Sequence, residues 1–229
     1  EQNSLQYNGY VGFASVAKNM DVLSANQWRG YVRSQNVASA LDYGASTDWQ
    51  KELERTAISH SHNILFSSSK KEHGYRASAT YNNNQGIIKR NNMNRLAGSL
   101  TAYQTAWQGR LRLDEGISAN FDRWHPIDTR IFERMVNLQP TFPVYNPDGS
   151  YAQLNGTNTE NPVEINNNRT DDQKRHRFLG YLKMELNIID GLKGILLSEE
   201  SISPAMQEWR DKVKKDGDSA PILTIQISK

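Results

Sequence analysis

The sequence predicts a mainly β fold, with antiparallel strands forming part of a barrel wall and a few short helices beside them. Three observations predict it. Between Tyr75 and Asp190, apolar and polar residues alternate in several segments; Phe178, Gly180, Leu182, Met184, Leu186 and Ile188 oppose Leu179, Tyr181, Lys183, Glu185 and Asn187. A period of two puts successive side chains on opposite faces of a strand. The chain is polar, with 37% hydrophobic residues, 23% charged residues and a mean hydropathy of −0.74, yet it carries 10 Tyr and 5 Trp, unlike a disordered sequence. No apolar run approaches the roughly 20 residues of a membrane-spanning helix, so any crossing of a bilayer falls to strands. Segments of about ten residues with one greasy face, separated by turns, are the pattern of an outer-membrane barrel wall.

The elements follow in order. Extended structure is expected from Leu5 to Val16, where Tyr7, Tyr10, Val11 and Phe13 surround Gly9 and Gly12. Met20 to Gln35 carries a short helix, with Ser24 suited to the N-cap and Trp28, Tyr31 and Val32 on one face. Thr47-Asp48-Trp49-Gln50 fits a capping box, Thr47 at the N-cap and Gln50 at N3, which opens a second helix through Leu53 and Glu54. Strands are then expected at His62–Ser68, Tyr75–Tyr81, Arg95–Tyr103 and Arg110–Phe121, the first two joined by a turn within Ser67–Gly74.

Glu115 falls on the apolar face of the Arg110–Phe121 strand, beside Leu113 and Ile117. A carboxylate in the middle of a lipid-facing wall costs roughly a few kcal/mol. His125 to Asp171 is a long excursion marked by Pro126, Pro140, Pro143, Pro147 and Pro162. Within it, Ile131, Phe132, Met135 and Val136 recur at helical spacing, and Asn146–Gly149 reads as a turn. Arg177–Ile189 closes the set at about five strands, with a turn at Asp190 and Gly191. Beyond it, Ser203 and Pro204 open a helix ending near Gly217, and Ile222–Ile227 reads as a strand.

Several ordered motifs carry a family resemblance. They are Thr47-Asp48-Trp49-Gln50-Lys51-Glu52-Leu53, Arg55-Thr56-Ala57, His62-Asn63, Tyr75-Arg76-Ala77-Ser78 and Gly86-Ile87-Ile88-Lys89. Upstream stand Val16-Ala17-Lys18, Asp21-Val22-Leu23-Ser24 and Asp42-Tyr43-Gly44-Ala45. As a set they resemble the SusC/RagA family of TonB-dependent outer-membrane transporters of Bacteroidota, over about Leu5 to Lys193. The chain departs from that pattern at Ser67-Ser68-Ser69, where the family has a glycine pair, and at Glu115.

The resemblance implies a division into residues 1–46 as the C-terminal part of a plug domain, 47–193 as the first barrel strands with a long extracellular loop near 125–171, and 194–229 as a tail without likeness. It implies an internal piece of a larger transporter that imports oligosaccharides or peptides across the cell outer membrane. Its implied partners are a surface-exposed SusD-like lipoprotein, TonB and outer-membrane lipid; it implies neither enzymatic activity nor a cofactor. An isolated chain of this kind would leave open sheet edges.

The residues themselves offer few sites. Basic and acidic residues number 27 and 25, with no basic block beside an aromatic ladder, so nucleic acid is not expected as a partner. Zero Cys excludes disulfides and thiolate metal sites. His60 and His62 share a strand face but lack a third ligand, and they read as wall residues rather than a metal site. Trp124, His125, Tyr145 and Tyr151 lie in or beside the excursion, where aromatic faces can stack on a sugar or peptide, or else pack the loop. The rival readings are a secreted, soluble, glycan-binding β-sandwich, which buries the apolar faces of two sheets against each other, and a truncated gene product without activity. Exposure of Leu100, Leu113 and Leu182 separates the sandwich from the barrel wall.

Overall fold

The computed structural model describes residues 2–37, 42–153, 160–169, 171–190, 192–202 and 222–227. Its strands are β1 (Gln2–Ala14), β2 (Ala57–Ser69), β3 (His73–Gln85), β4 (Asn92–Ala106), β5 (Leu111–His125), β6 (Gln173–Ile189), β7 (Leu192–Ile202) and β8 (Ile222–Ile227). They form a single sheet in chain order, every neighbouring pair antiparallel. β1 and β8 remain its edges, so the sheet is an open portion of a barrel wall.

Short connections between β2 and β3, β4 and β5, and β6 and β7 lie at one end of the sheet. The middle one uses left-handed backbone at Trp107, Gln108 and Gly109, and the Gly109 amide donates to the Ala106 carbonyl at 3.1 Å. Longer connections collect at the opposite end. They carry the helices α1 (Ala25–Ser34), α2 (Trp49–Leu53), α3 (Arg130–Asn137) and α4 (Pro162–Asn168). Ser24 caps α1 in a reciprocal capping box with Gln27, and Asn161 caps α4 ahead of Pro162.

The tightly packed core lies at this helical end, not beneath the sheet. Trp49 and Leu53 of α2 meet Met135, Leu138, Phe142, Val144, Ala152 and Val163 of the excursion. Among the described residues neither face of the sheet is covered by a second layer: Leu100 is 44% exposed, Leu182 42% and Ile117 63%. Leu113 is half-buried. A sandwich would have closed over these side chains.

Several expectations are corrected. The N-cap of α2 is Asp48, whose carboxylate accepts from the Lys51 amide at 3.2 Å. Thr47 cannot serve there because its hydroxyl donates to the Phe142 carbonyl at 2.6 Å, while the Gln50 side chain exchanges two 2.9 Å hydrogen bonds with the Met20 backbone. The β2–β3 turn narrows to residues 70–72, since ladder pairing persists to Ser69↔Gly74. The wall does not end at Ile189. β7 pairs with β6 from Leu192 to Ile202, and β8 adds beyond it, because the unpaired edge of β6 offers a full row of donors and acceptors. Ile222–Ile227 is the expected strand, whereas the helix expected from Ser203 to Gly217 lies outside the described residues. Gln2–Ala14, grouped by motif with the plug portion, runs as the edge strand of the same sheet along all of β2.

Candidate functional site

The cross-strand register sorts the wall into two chemistries. One face carries Leu5, Ile64, Phe66, Leu100, Ile117, Phe121, Phe178 and Leu182, with Glu115 among them. On β5 this band runs from Leu111 to Phe121, about 33 Å along the strand at ~3.3 Å per residue, or about 25 Å high for a strand tilted ~40°. That height matches the apolar belt of outer-membrane barrels. The band climbs across the sheet: on β7, polar Glu200 and Ser198 stand opposite Gly180 and Leu182 of β6. A climb of this kind is what tilted strands require of a horizontal membrane.

The other face is polar and internally hydrogen-bonded. Ser78 and Ser99 share a 2.7 Å hydroxyl contact, Asn63 donates to Thr80 at 2.6 Å, and Arg95 grips Asp122 with bonds of 2.6 and 3.1 Å. Tyr181 lies where a Cβ on Gly116 would stand, and Tyr103 does the same at Gly74, so rings cover the two glycines. These pairings join residues on different strands, and only the register reveals them.

Trp124 and His125 come together at the helical end of β5. The Trp124 ring takes the Arg175 guanidinium at 5.1 Å from its centroid, a cation–π contact across to β6. Both residues line a cleft of about 320 Å³, along with Asn84, Asn92, Arg95 and Arg175. His125 is buried; its Nδ1 lies 3.1 Å from Asp172, and its carbonyl accepts from Asn91 Nδ2 at 3.0 Å. The hydrogen bond with His125, reinforced by one from Arg123, holds the Asp172 carboxyl below the usual carboxylate range.

Tyr145 and Tyr151 form a separate pair in the excursion, bridged through their backbones with ring centroids 5.2 Å apart. Tyr151 leans on the small core and its hydroxyl accepts from Asn167 Nδ2 at 3.0 Å. Neither tyrosine lines the cleft at Trp124. The expected aromatic group is thus two groups: one at a polar cleft, the other serving the packing of the excursion. Arg175 and the cleft amides escaped the sequence reading because only strand pairing gathers them from β3, β4 and β6.

A second cleft, about 940 Å³, opens between the α1 entrance, α2 and α3, lined in part by Met20, Leu23, Trp28, Trp49, Met135 and Gln139. Beside it the segment 43–49 is stitched to the excursion. The Ala45 amide donates to the Thr141 carbonyl at 2.9 Å and the Thr47 amide to the Pro140 carbonyl at 2.8 Å. Motif residues meet here as well. The Arg55 amide donates to the Ile87 carbonyl at 2.7 Å, and its guanidinium reaches the Gly86 and Asn91 carbonyls at 3.0 and 2.6 Å. The Lys89 amide donates to the Leu53 carbonyl at 2.8 Å. Among the described residues no group of three or more His, Cys, Asp or Glu could hold a metal ion.

The TonB-dependent receptor SusC of Bacteroides thetaiotaomicron is 28% identical over 159 residues, covering 67% of this chain and 16% of SusC. Solved structures of the RagAB peptide transporter, and of the RagAB peptide importer in its closed-closed and open-open states, share the fold. Their TM-scores are 0.68, 0.71 and 0.71 at 14%, 14% and 15% identity, over 89% of this chain and 28% of each matched chain. The segment is SusC/RagA-like. No protein-family model matches it. The SusC/RagA-like chain spans about a sixth of SusC, and the relatives it matches are a receptor, a transporter and an importer rather than enzymes.

Proposed function

We propose that this SusC/RagA-like segment works as a stretch of wall in a TonB-dependent outer-membrane transporter that takes up oligosaccharides or peptides. The observation that carries this reading is the uncovered apolar band on one face of a sheet whose other face is polar and hydrogen-bonded. Only a wall between hydrocarbon and water satisfies both faces at once. In this reading β1 to β8 all belong to the wall, residues 1–46 and 194–229 supplying outer strands on either side of 47–193, and a SusD-like surface lipoprotein and TonB are the working partners. The polar face is the lumen side, and Trp124 with Arg175 at the cleft is the aromatic position best placed to contact a passing ligand.

Cysteine labelling tests the wall. The chain contains no Cys, so each introduced thiol in it is unique. Ser99→Cys and Leu100→Cys are neighbours on opposite faces. In outer membranes containing the chain, a water-borne maleimide is expected to label the first and spare the second. Equal labelling of both would overturn the proposal.

A further inference from the structure

The polar face of the sheet gathers positive charge at its helical end. The register aligns Thr80, Ala97, Asn120 and Arg177 in one row across β3 to β6, Asn82, Arg95, Asp122 and Arg175 in the next, and Asn84, Met93, Trp124 and Gln173 in the one after. Asp122 is the single carboxylate in these rows, set against three arginines. It is 8% exposed and held by Arg95 through two hydrogen bonds. Arg175 and Arg177 are both exposed, and neither makes an ion pair among the described residues. Three guanidiniums thus share one acid, and positive charge is left over. The two free ones stand two residues apart on one strand face, roughly 7 Å between backbones.

The cleft at Trp124 opens onto these rows. At about 320 Å³ it is small for a ligand pocket, so it holds part of a chain molecule rather than the whole. Arg175 is already set across the Trp124 ring, 5.1 Å from its centroid. Asn84 and Asn92 line the cleft with side-chain amides that have no hydrogen-bond partner among the described residues. Each amide offers two donors and an acceptor, which complements hydroxyls that both donate and accept. Met93 and Trp124 are the large apolar side chains of the lining, too few to form the alternating pockets by which an extended peptide is read.

We propose that this cleft, together with Arg177, binds an acidic oligosaccharide, a glycan whose sugar units carry carboxylates. A carboxylate lies against Arg175 and Arg177, where charge-assisted hydrogen bonds are shorter and about twice as strong as neutral ones. A neighbouring sugar sits beside Trp124, with its hydroxyls on Asn84 and Asn92. The inference rests on the uptake reading above and narrows it to one class of ligand.

The test is isothermal titration of the full chain, held in vesicles of uncharged phosphatidylcholine, with three probes of similar length: tetragalacturonate, maltotetraose and tetra-aspartate. Tetragalacturonate is expected to bind on the order of ten-fold more tightly than maltotetraose, an advantage that shrinks as salt is raised. Arg177→Gln should bring the two sugars level, and Arg177→Lys should keep part of the difference. Equal affinity for the two sugars in the unaltered chain, or a preference that survives Arg177→Gln, would overturn the acidic site and leave the uptake reading standing. Tetra-aspartate binding as tightly as tetragalacturonate would overturn the assignment to a glycan. Binding of none of the three would overturn the site, and the wall would then stand or fall on the cysteine labelling alone.

Discussion

The indole of Trp49 donates its Nε1 hydrogen to the carbonyl of Gln139 at 3.2 Å, joining the helix just ahead of β2 to a loop that leaves the sheet only after β5. The ring is 3% exposed and stacks near Phe142, at 6.5 Å between centroids. Trp49→Ala is therefore expected to loosen the excursion by roughly 3–5 kcal/mol through lost burial and the cavity left behind. Trp49→Phe should cost much less. Hydrogen exchange of residues 130–144 measures both; equal protection in wild type and Trp49→Ala would refute the role.

Asn161 is the polar keystone of the same region. It is 1% exposed, donating to the Val144 and Ala152 carbonyls at 2.8 and 3.2 Å while accepting from the Val163 amide at 3.0 Å. Asn161→Ala strands those groups in a dry site, so a loss of about 2–3 kcal/mol is expected. Asn161→Asp keeps the cap but cannot donate, and should fall between. Denaturant unfolding of the three proteins gives the ranking.

Acid should open the excursion over a defined window. Arg130 donates from its side chain to Asp128, its amide adds a second bond, and Arg169 reaches the same carboxylate at 3.0 Å, so Asp128 is held at about 2. A depressed carboxyl contributes stability that is complete above its unfolded value, about 4, and lost as pH falls towards 2. Asp128→Asn should show lower stability at neutral pH and a flatter profile through that window. Thermal melting against pH decides it.

Glu115 is the one carboxylate within the apolar band on β5, exposed and opposite Ala102 and Leu182. Glu115→Leu is expected to stabilise the lipid-embedded chain on the order of 1 kcal/mol, and Glu115→Arg to destabilise it further. Urea titration in vesicles reads the change. Equal midpoints would place this residue against protein or water instead.

On the proposed uptake role, Trp124→Ala should weaken retention of an oligosaccharide or peptide at the cleft several-fold with little loss of fold, because the ring stands at a strand end against Arg175. Trp124→Phe should recover part of it. Tyr145→Ala is the contrasting control, expected to leave ligand retention intact, since that tyrosine pairs with Tyr151 away from the cleft. Titration by intrinsic fluorescence separates the two.

Strand existence was plain in the alternation of Phe178 to Ile188, and α1 in Ser24 with its helical spacing, because both signals are local. The end of the wall was not. Leu192–Ile202 mixes Gly194, Ser198 and two glutamates into its pattern, and its identity as β7 depends on the edge that β6 offers. The cap of α2 moved from Thr47 to Asp48 for a similar reason: the Thr47 hydroxyl has a distant partner that no local rule contains.

The sequence alone determined which side chains share the apolar face and which the polar one, since a period of two leaves a strand no other choice. It also determined, through motifs such as Arg55-Thr56-Ala57 and Gly86-Ile87-Ile88-Lys89, which relatives the chain resembles. Tertiary structure decided that these two motifs touch, that Trp124 sits under Arg175 while Tyr145 does not, and that the packed core belongs to the excursion rather than the sheet. Those outcomes depend on pairing between segments tens of residues apart, where the free energy of contact is set by register and shared burial rather than by any neighbour along the chain.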